Sequence, residues 1–204
     1  MRPLVVVGAG GFGREVVQIV AAVNAVAPTW ELVGFLDDGP AAVTPAGTVP
    51  LLGPVAALAD LPGHAAVLAV GSPPGRAAIA RAHPRQEWAT LVHPDTTVAP
   101  GTRLGAGCVV APGARVSVGC SLGDHVHVDQ NVTIGHDCSV GAFARFNPQA
   151  CISGSTTVGS EVLVGANATI LQGLALGDGC VVGAGAVVVR DVGRGTTVKG
   201  VPAR

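Results

Sequence analysis

The chain has 204 residues and a formal net charge of −1, from 12 basic and 13 acidic side chains. Apolar residues make up 49% and charged residues 12%, so the chain can bury a core and global disorder is excluded. No basic patch points to nucleic acid, and despite a mean hydropathy of +0.53, glycine interrupts every stretch before the ~20 apolar residues a spanning helix needs.

The first apolar run, Leu4–Val7, is too short for a signal peptide, and the expected address is cytoplasmic. It reads as a strand. Gly8-Ala9-Gly10-Gly11-Phe12-Gly13 follows, then a helical stretch from Arg14 to about Val26. Glu31–Leu36 is a second strand ending in Asp37-Asp38. The stretches Ala41–Pro50 and Pro50–Pro54 read as loops. Ala65–Val70 is a third strand ending in Gly71-Ser72, and Pro73-Pro74 opens a helix through Ala82. The order βαβ…βα implies a parallel sheet. The glycines match G-x-G-x-x-G between a strand and a helix, a turn that sets backbone N–H groups against phosphate. Asp37 ends the second strand, where a ribose-binding carboxylate would sit. About 90 residues supply half of a dinucleotide fold, which suits a mononucleotide such as UDP better than NAD. The expected division is 1–90, a Rossmann-like nucleotide-binding half-domain, and 91–204.

From Val92 to Val188 an aliphatic residue or Phe recurs at every sixth position without an insertion. The position four after each hit is nearly always small or β-branched, and the position just after it is often Gly, as at Gly135 and Gly165. This is the hexapeptide pattern of a parallel β-helix. Three hexapeptides close a coil of eighteen residues, with aliphatic and small residues inward and coils stacked at roughly 4.8 Å. Glycine is expected at corners that need φ > 0. The five cysteines (Cys108, Cys120, Cys138, Cys151, Cys180) are odd in number and read as free thiols. Four of them fall in the small inward column. Cys120 and Cys138 should stack in adjacent coils, as small buried hydrophobes or as a redox or metal pair. His127 and Arg145 are also eighteen apart and should stack.

A nucleotide-type half-fold joined to a hexapeptide β-helix resembles the NeuD/PglD-type bacterial sugar O-/N-acyltransferases. The resemblance covers essentially the whole chain. It rests on Gly8–Gly13, Phe35-Leu36-Asp37-Asp38, Ala69-Val70-Gly71-Ser72, Asn131–Cys138, Asn147-Pro148 and the tail Gly200–Arg204. It implies a left-handed β-helix, a homotrimer, acetyl-CoA as co-substrate and no metal. The acceptor it implies is a nucleotide-linked 4-amino sugar, N-acetylated, or a sialic acid or other sugar, O-acetylated. It implies His136 as general base supported by Asp137, with Gly10, Gly11, Phe12, Asp37, Asp38 and Gly71 toward the sugar nucleotide. Arg145, Gly154, Ala166 and Ala184 fall where the family meets acetyl-CoA. Gly154, one coil above His136, lacks a side chain and would leave room for the thioester. Phe12, Asp129, Gly135 and Arg145 depart from the family, where His, Asn, Glu and His are common. Arg145 offers a partner for a CoA phosphate. Two other classes stay open: a noncatalytic nucleotide-sugar-binding scaffold, and a metal-dependent hydratase on the same trimeric scaffold, although His125, His127 and His136 do not match its zinc spacing.

Overall fold

Strand β1 (Arg2–Val7) is the centre of the first unit, and Leu4 to Val7 are fully buried. The computed structural model describes residues 1–39 and 49–204. It divides into two units, Met1–Pro94 and Asp95–Arg204. In the first, α1 (Gly11–Val26) starts at the glycine turn, three residues before the expected Arg14. Its buried residues Val16, Ile19 and Val20 repeat at helical spacing and form one apolar stripe. Asn24 ties the end of α1 to the next strand: its Oδ1 accepts from the N–H groups of Thr29 and Trp30, and its Nδ2 donates to the Trp30 carbonyl.

Strands β2 (Trp30–Leu36), β3 (Leu51–Gly53) and β4 (Ala65–Leu68) complete a parallel sheet of order β3-β2-β1-β4. The expected loop Pro50–Pro54 therefore contains a strand, because the Phe35 N–H donates to the Pro50 carbonyl and draws the segment onto the sheet edge. The expected Ala41–Pro50 loop lies almost wholly outside the described residues. A 3₁₀ turn, Val55–Asp60, precedes β4, and α2 (Pro73–Ala82) follows it. Ser72 caps α2 by accepting from the Gly75 N–H, with proline at the first helical positions, where no N–H is missed.

The second unit is a left-handed parallel β-helix of two-residue strands, from Thr97–Val98 to Thr197–Val198. Partners in adjacent coils are eighteen residues apart, as in Thr133↔Cys151 and His127↔Arg145. The second residue of each strand points inward: Ile134, Phe146 and Ile152 are at most 2% exposed. Truncating such a side chain to Ala costs about 2–5 kcal/mol. The last coil is two residues shorter, with Val182 opposite Val198 and Leu176 opposite Val192, so the sixfold column ends at Val188.

Glycine occupies left-handed corners as expected at Gly107, Gly113, Gly119, Gly173, Gly179 and Gly185. Glycines directly after the inward residue do not have positive φ. A Cβ on Gly135 would lie 2.5 Å from the Gly154 nitrogen, so this glycine permits close stacking of coils. Left-handed backbone falls two residues later. Asp137 (φ +58), Phe143 (φ +64) and Gln149 (φ +65) adopt it without being glycine. Each such residue costs about 1 kcal/mol that the stacked ladder must offset.

Candidate active site

His136 and Asp137 sit on the edge between the faces formed by Thr133–Ile134 and Ser139–Val140. The ladder holds their backbone from both sides. The Asp137 N–H donates to the Val118 carbonyl one coil below (2.9 Å), and the His136 carbonyl accepts from the Ser155 N–H one coil above (2.7 Å). The left-handed turn at Asp137 brings its carboxylate back to its neighbour, with Oδ2 2.9 Å from His136 Nδ1. When Nδ1–H donates there, Nε2 keeps its lone pair. Both side chains are more than half exposed.

Two glycines seat this pair. A Cβ on Gly119 would collide with the Asp137 carboxylate, and one on Gly154 would lie 2.6 Å from His136 Nε2. The missing side chain of Gly154 thus makes room for the imidazole ring. Gly154 is buried, and among the described residues its N–H has no hydrogen-bond acceptor. An unmade bond of this kind in a packed corner calls for an explanation.

Within one chain, the other residues expected near acetyl-CoA do not share the edge of His136. Ala166 and Ala184 follow the Leu163–Val164 and Val181–Val182 strands, on the edge one face away from that of His136. Arg145 donates from Nη2 (2.8 Å) and Nε (3.1 Å) to Asp129 Oδ2, and the two side chains are 15% and 2% exposed. The guanidinium expected on a CoA phosphate pairs with a carboxylate within the chain. His127, its ladder partner, is fully buried. Sequence reasoning noted Asp129 and Arg145 as separate departures. Their sixteen-residue spacing, two short of a coil, is the signal that they meet. His125 stacks on Phe143 at 5.0 Å.

The inward thiols are hydrogen-bond donors as well as apolar filler. Cys108, Cys120 and Cys138 each donate to the carbonyl fifteen residues on, at 3.2, 3.0 and 3.3 Å. Burial pushes the Cys138 thiol above its ordinary value, with a Thr156 backbone hydrogen bond opposing and Cys120 adding to the rise. Cys120 and Cys138 are thus in contact as expected. Among the described residues no group of three or more His, Cys, Asp or Glu is placed to hold a metal ion.

In the first unit, the fingerprint glycines separate into two kinds. A Cβ on Gly13 would collide with the Gly8 carbonyl, and Gly8 itself has φ +110. These two serve helix–strand packing. A Cβ on Gly10 meets nothing within 4 Å, and one on Gly11 meets only Arg14 Nη2 at 3.9 Å. Gly10 and Gly11 are exposed at the N-terminus of α1, whose first turn carries no acidic residue, an arrangement open to an anion. Phe12 is half-buried beside them. Asp37 accepts from the Ala9 N–H (2.6 Å) with one oxygen and from the Gly39 N–H (2.7 Å) with the other. Asp38 Oδ1 accepts from the Val55 N–H (2.8 Å). Both carboxylates therefore brace loops, which the expected ribose role did not include. The Gly71 and Val70 carbonyls accept from Arg76 Nη1, at 3.2 and 3.0 Å. Arg76 is fully buried, and nothing in the local sequence marked it.

The family comparisons agree with this layout. The PglD N-terminal domain matches residues 3–82, and the hexapeptide repeat of succinyl-transferase matches residues 113–136 and 155–190. The acetyltransferase domain of PglB from Neisseria gonorrhoeae, solved with acetyl coenzyme A, is 36% identical, with a TM-score of 0.92 over 100% of this chain and 98% of that one. The chain belongs to the NeuD/PglD-type family of sugar acetyltransferases. Other members extend the likeness. PerB from Caulobacter crescentus, solved with CoA and GDP-perosamine, is 28% identical, with a TM-score of 0.90 over 99% of this chain and 96% of that one. WeeI from Acinetobacter baumannii is 26% identical, with a TM-score of 0.88 over 100% and 99%. No curated protein matches the chain by sequence.

Proposed function

We propose that the chain is a cytoplasmic, homotrimeric enzyme that moves the acetyl group of acetyl-CoA to the amine of a nucleotide-linked amino sugar. The observation that carries this is the His136–Asp137 pair beside the Gly154 backbone N–H, which has no acceptor among the described residues. Relatives solved with acetyl coenzyme A and with CoA and GDP-perosamine support the donor and the acceptor class. In this reading the second unit carries acetyl transfer and the first holds the nucleotide, at Gly10, Gly11 and the Val70–Gly71 turn.

The chemistry follows from the pair. Asp137 orients the imidazole and stabilises its charged form. His136 Nε2 takes a proton from the attacking amine as the nitrogen bonds to the thioester carbonyl carbon. The Gly154 N–H donates to the oxyanion that forms. The tetrahedral intermediate then collapses, the carbon–sulfur bond breaks, and the proton on His136 passes to the leaving thiolate. No acyl-enzyme forms. In this reading the Asp129–Arg145 pair takes no part in proton transfer.

The acceptor class is tested by thiol release from acetyl-CoA with UDP-, dTDP- and GDP-linked amino sugars, free amino sugars and sialic acid. Release confined to a nucleotide-linked amino sugar is expected. Release with sialic acid alone would move the assignment to O-acetylation, and saturable nucleotide-sugar binding with no release from any acceptor would favour the scaffold.

A further inference from the structure

The Gly154 N–H points where it does because the peptide that carries it is held from behind. The Ser153 carbonyl accepts from Thr156 Oγ1 at 2.7 Å and from Cys138 Sγ at 3.3 Å. Thr156 is fully buried and Cys138 is 1% exposed, so both donors lie inside the prism. A trans peptide is planar, with its C=O and N–H in opposite directions. A carbonyl drawn inward therefore turns the following N–H outward. A Cβ on Gly154 would lie 2.6 Å from His136 Nε2, so the peptide that carries this N–H sits beside the His136 ring.

We infer that Thr156 and Cys138 are positioning residues for acetyl transfer: by pinning the Ser153 carbonyl inward they aim the Gly154 N–H at the thioester oxygen. This rests on the reading of His136 and Gly154 given above. Neither side chain touches a reacting atom. Their effect is to keep an oxyanion donor oriented before the reaction begins, which avoids a reorganisation cost at the transition state. The arrangement also gives the cysteine that follows the His136-Asp137 pair a task that a hydrophobic filler of equal size would not perform.

The test uses acetyl-CoA labelled with ¹³C at the thioester carbonyl. The carbonyl stretching band is read by difference infrared spectroscopy on the whole protein. A hydrogen bond from Gly154 lowers that frequency on binding. Thr156→Val keeps the branched shape and removes the hydroxyl, so most of the lowering is lost and kcat falls about tenfold, a fraction of the 10²–10³ that deleting an oxyanion donor costs. Thr156→Ser keeps the hydroxyl and restores the band and the rate. Cys138→Ala gives a smaller effect in the same direction, and carries the test if Thr156→Val does not fold. The KM for acetyl-CoA stays within twofold throughout, about 0.4 kcal/mol. His136→Ala loses transfer but keeps the lowered band, so failure of the base assignment is read separately. A wild-type band at the frequency of free acetyl-CoA would overturn the inference, as would full lowering and full rate in both Thr156→Val and Cys138→Ala.

Discussion

Gly13 and Gly10 stand three residues apart and answer to different physics. Gly13 has no room for a Cβ, because the Gly8 carbonyl occupies it, whereas Gly10 faces open space in an ordinary extended conformation. Gly13→Ala should therefore destabilise the protein by about 1–3 kcal/mol, as overpacking does, measured by urea unfolding. Gly10→Ala should leave that curve unchanged and raise the KM for the nucleotide sugar. Equal loss of stability in both would show that the two glycines share one packing role. The sequence pattern marks all fingerprint glycines alike, since it cannot distinguish a Cβ that would strike backbone from one that would meet solvent. At Asp37 the pattern marks a carboxylate at a strand end, but not the Ala9 and Gly39 N–H groups from which its oxygens accept. His136 and Asp137 were legible because they are adjacent in the chain and meet through one turn.

At the scale of the coil, the sixfold column places nearly every strand, because one inward residue per hexapeptide is a strong and regular signal. The corners were less legible. Glycine announces the left-handed corners at Gly107, Gly113, Gly119, Gly173, Gly179 and Gly185, but those at Asp137, Phe143 and Gln149 carry none, and the glycines directly after the inward residue serve coil stacking. The shortened last coil breaks the column and could be found only by pairing. The inward small column also carries a pH dependence. Burial, with the charge of Asp178 adding to it, pushes the Cys180 thiol from 9.0 up to about 11. The folded state then keeps a proton that the unfolded chain releases. This contribution is complete below about pH 9 and is lost as pH rises from 9 to about 11. Chemical denaturation across that range should show falling stability, with a shallower fall in Cys180→Ala. An identical slope in that variant would contradict the assignment.

At the scale of the whole molecule, one chain places Ala166 and Ala184 on a different edge from His136. The two sets can serve one acetyl-CoA if the edge of one subunit faces another edge of its neighbour, which is the arrangement a trimer provides. Light scattering should give three times the 20.0 kDa chain mass. A monomer with full activity would contradict a shared site. The trimer is an expectation from family resemblance alone, because neither composition nor the hexapeptide period encodes which edges meet between copies.

In the proposed mechanism His136 takes the proton from the acceptor. The most direct test is acetyl transfer by His136→Ala, with acetyl-CoA binding measured alongside by calorimetry. A fall in kcat of about 10²–10⁴ with unchanged acetyl-CoA affinity is predicted. Normal turnover in that variant would contradict the account, and Asp137, Gly154 and the peptide behind it would need another explanation.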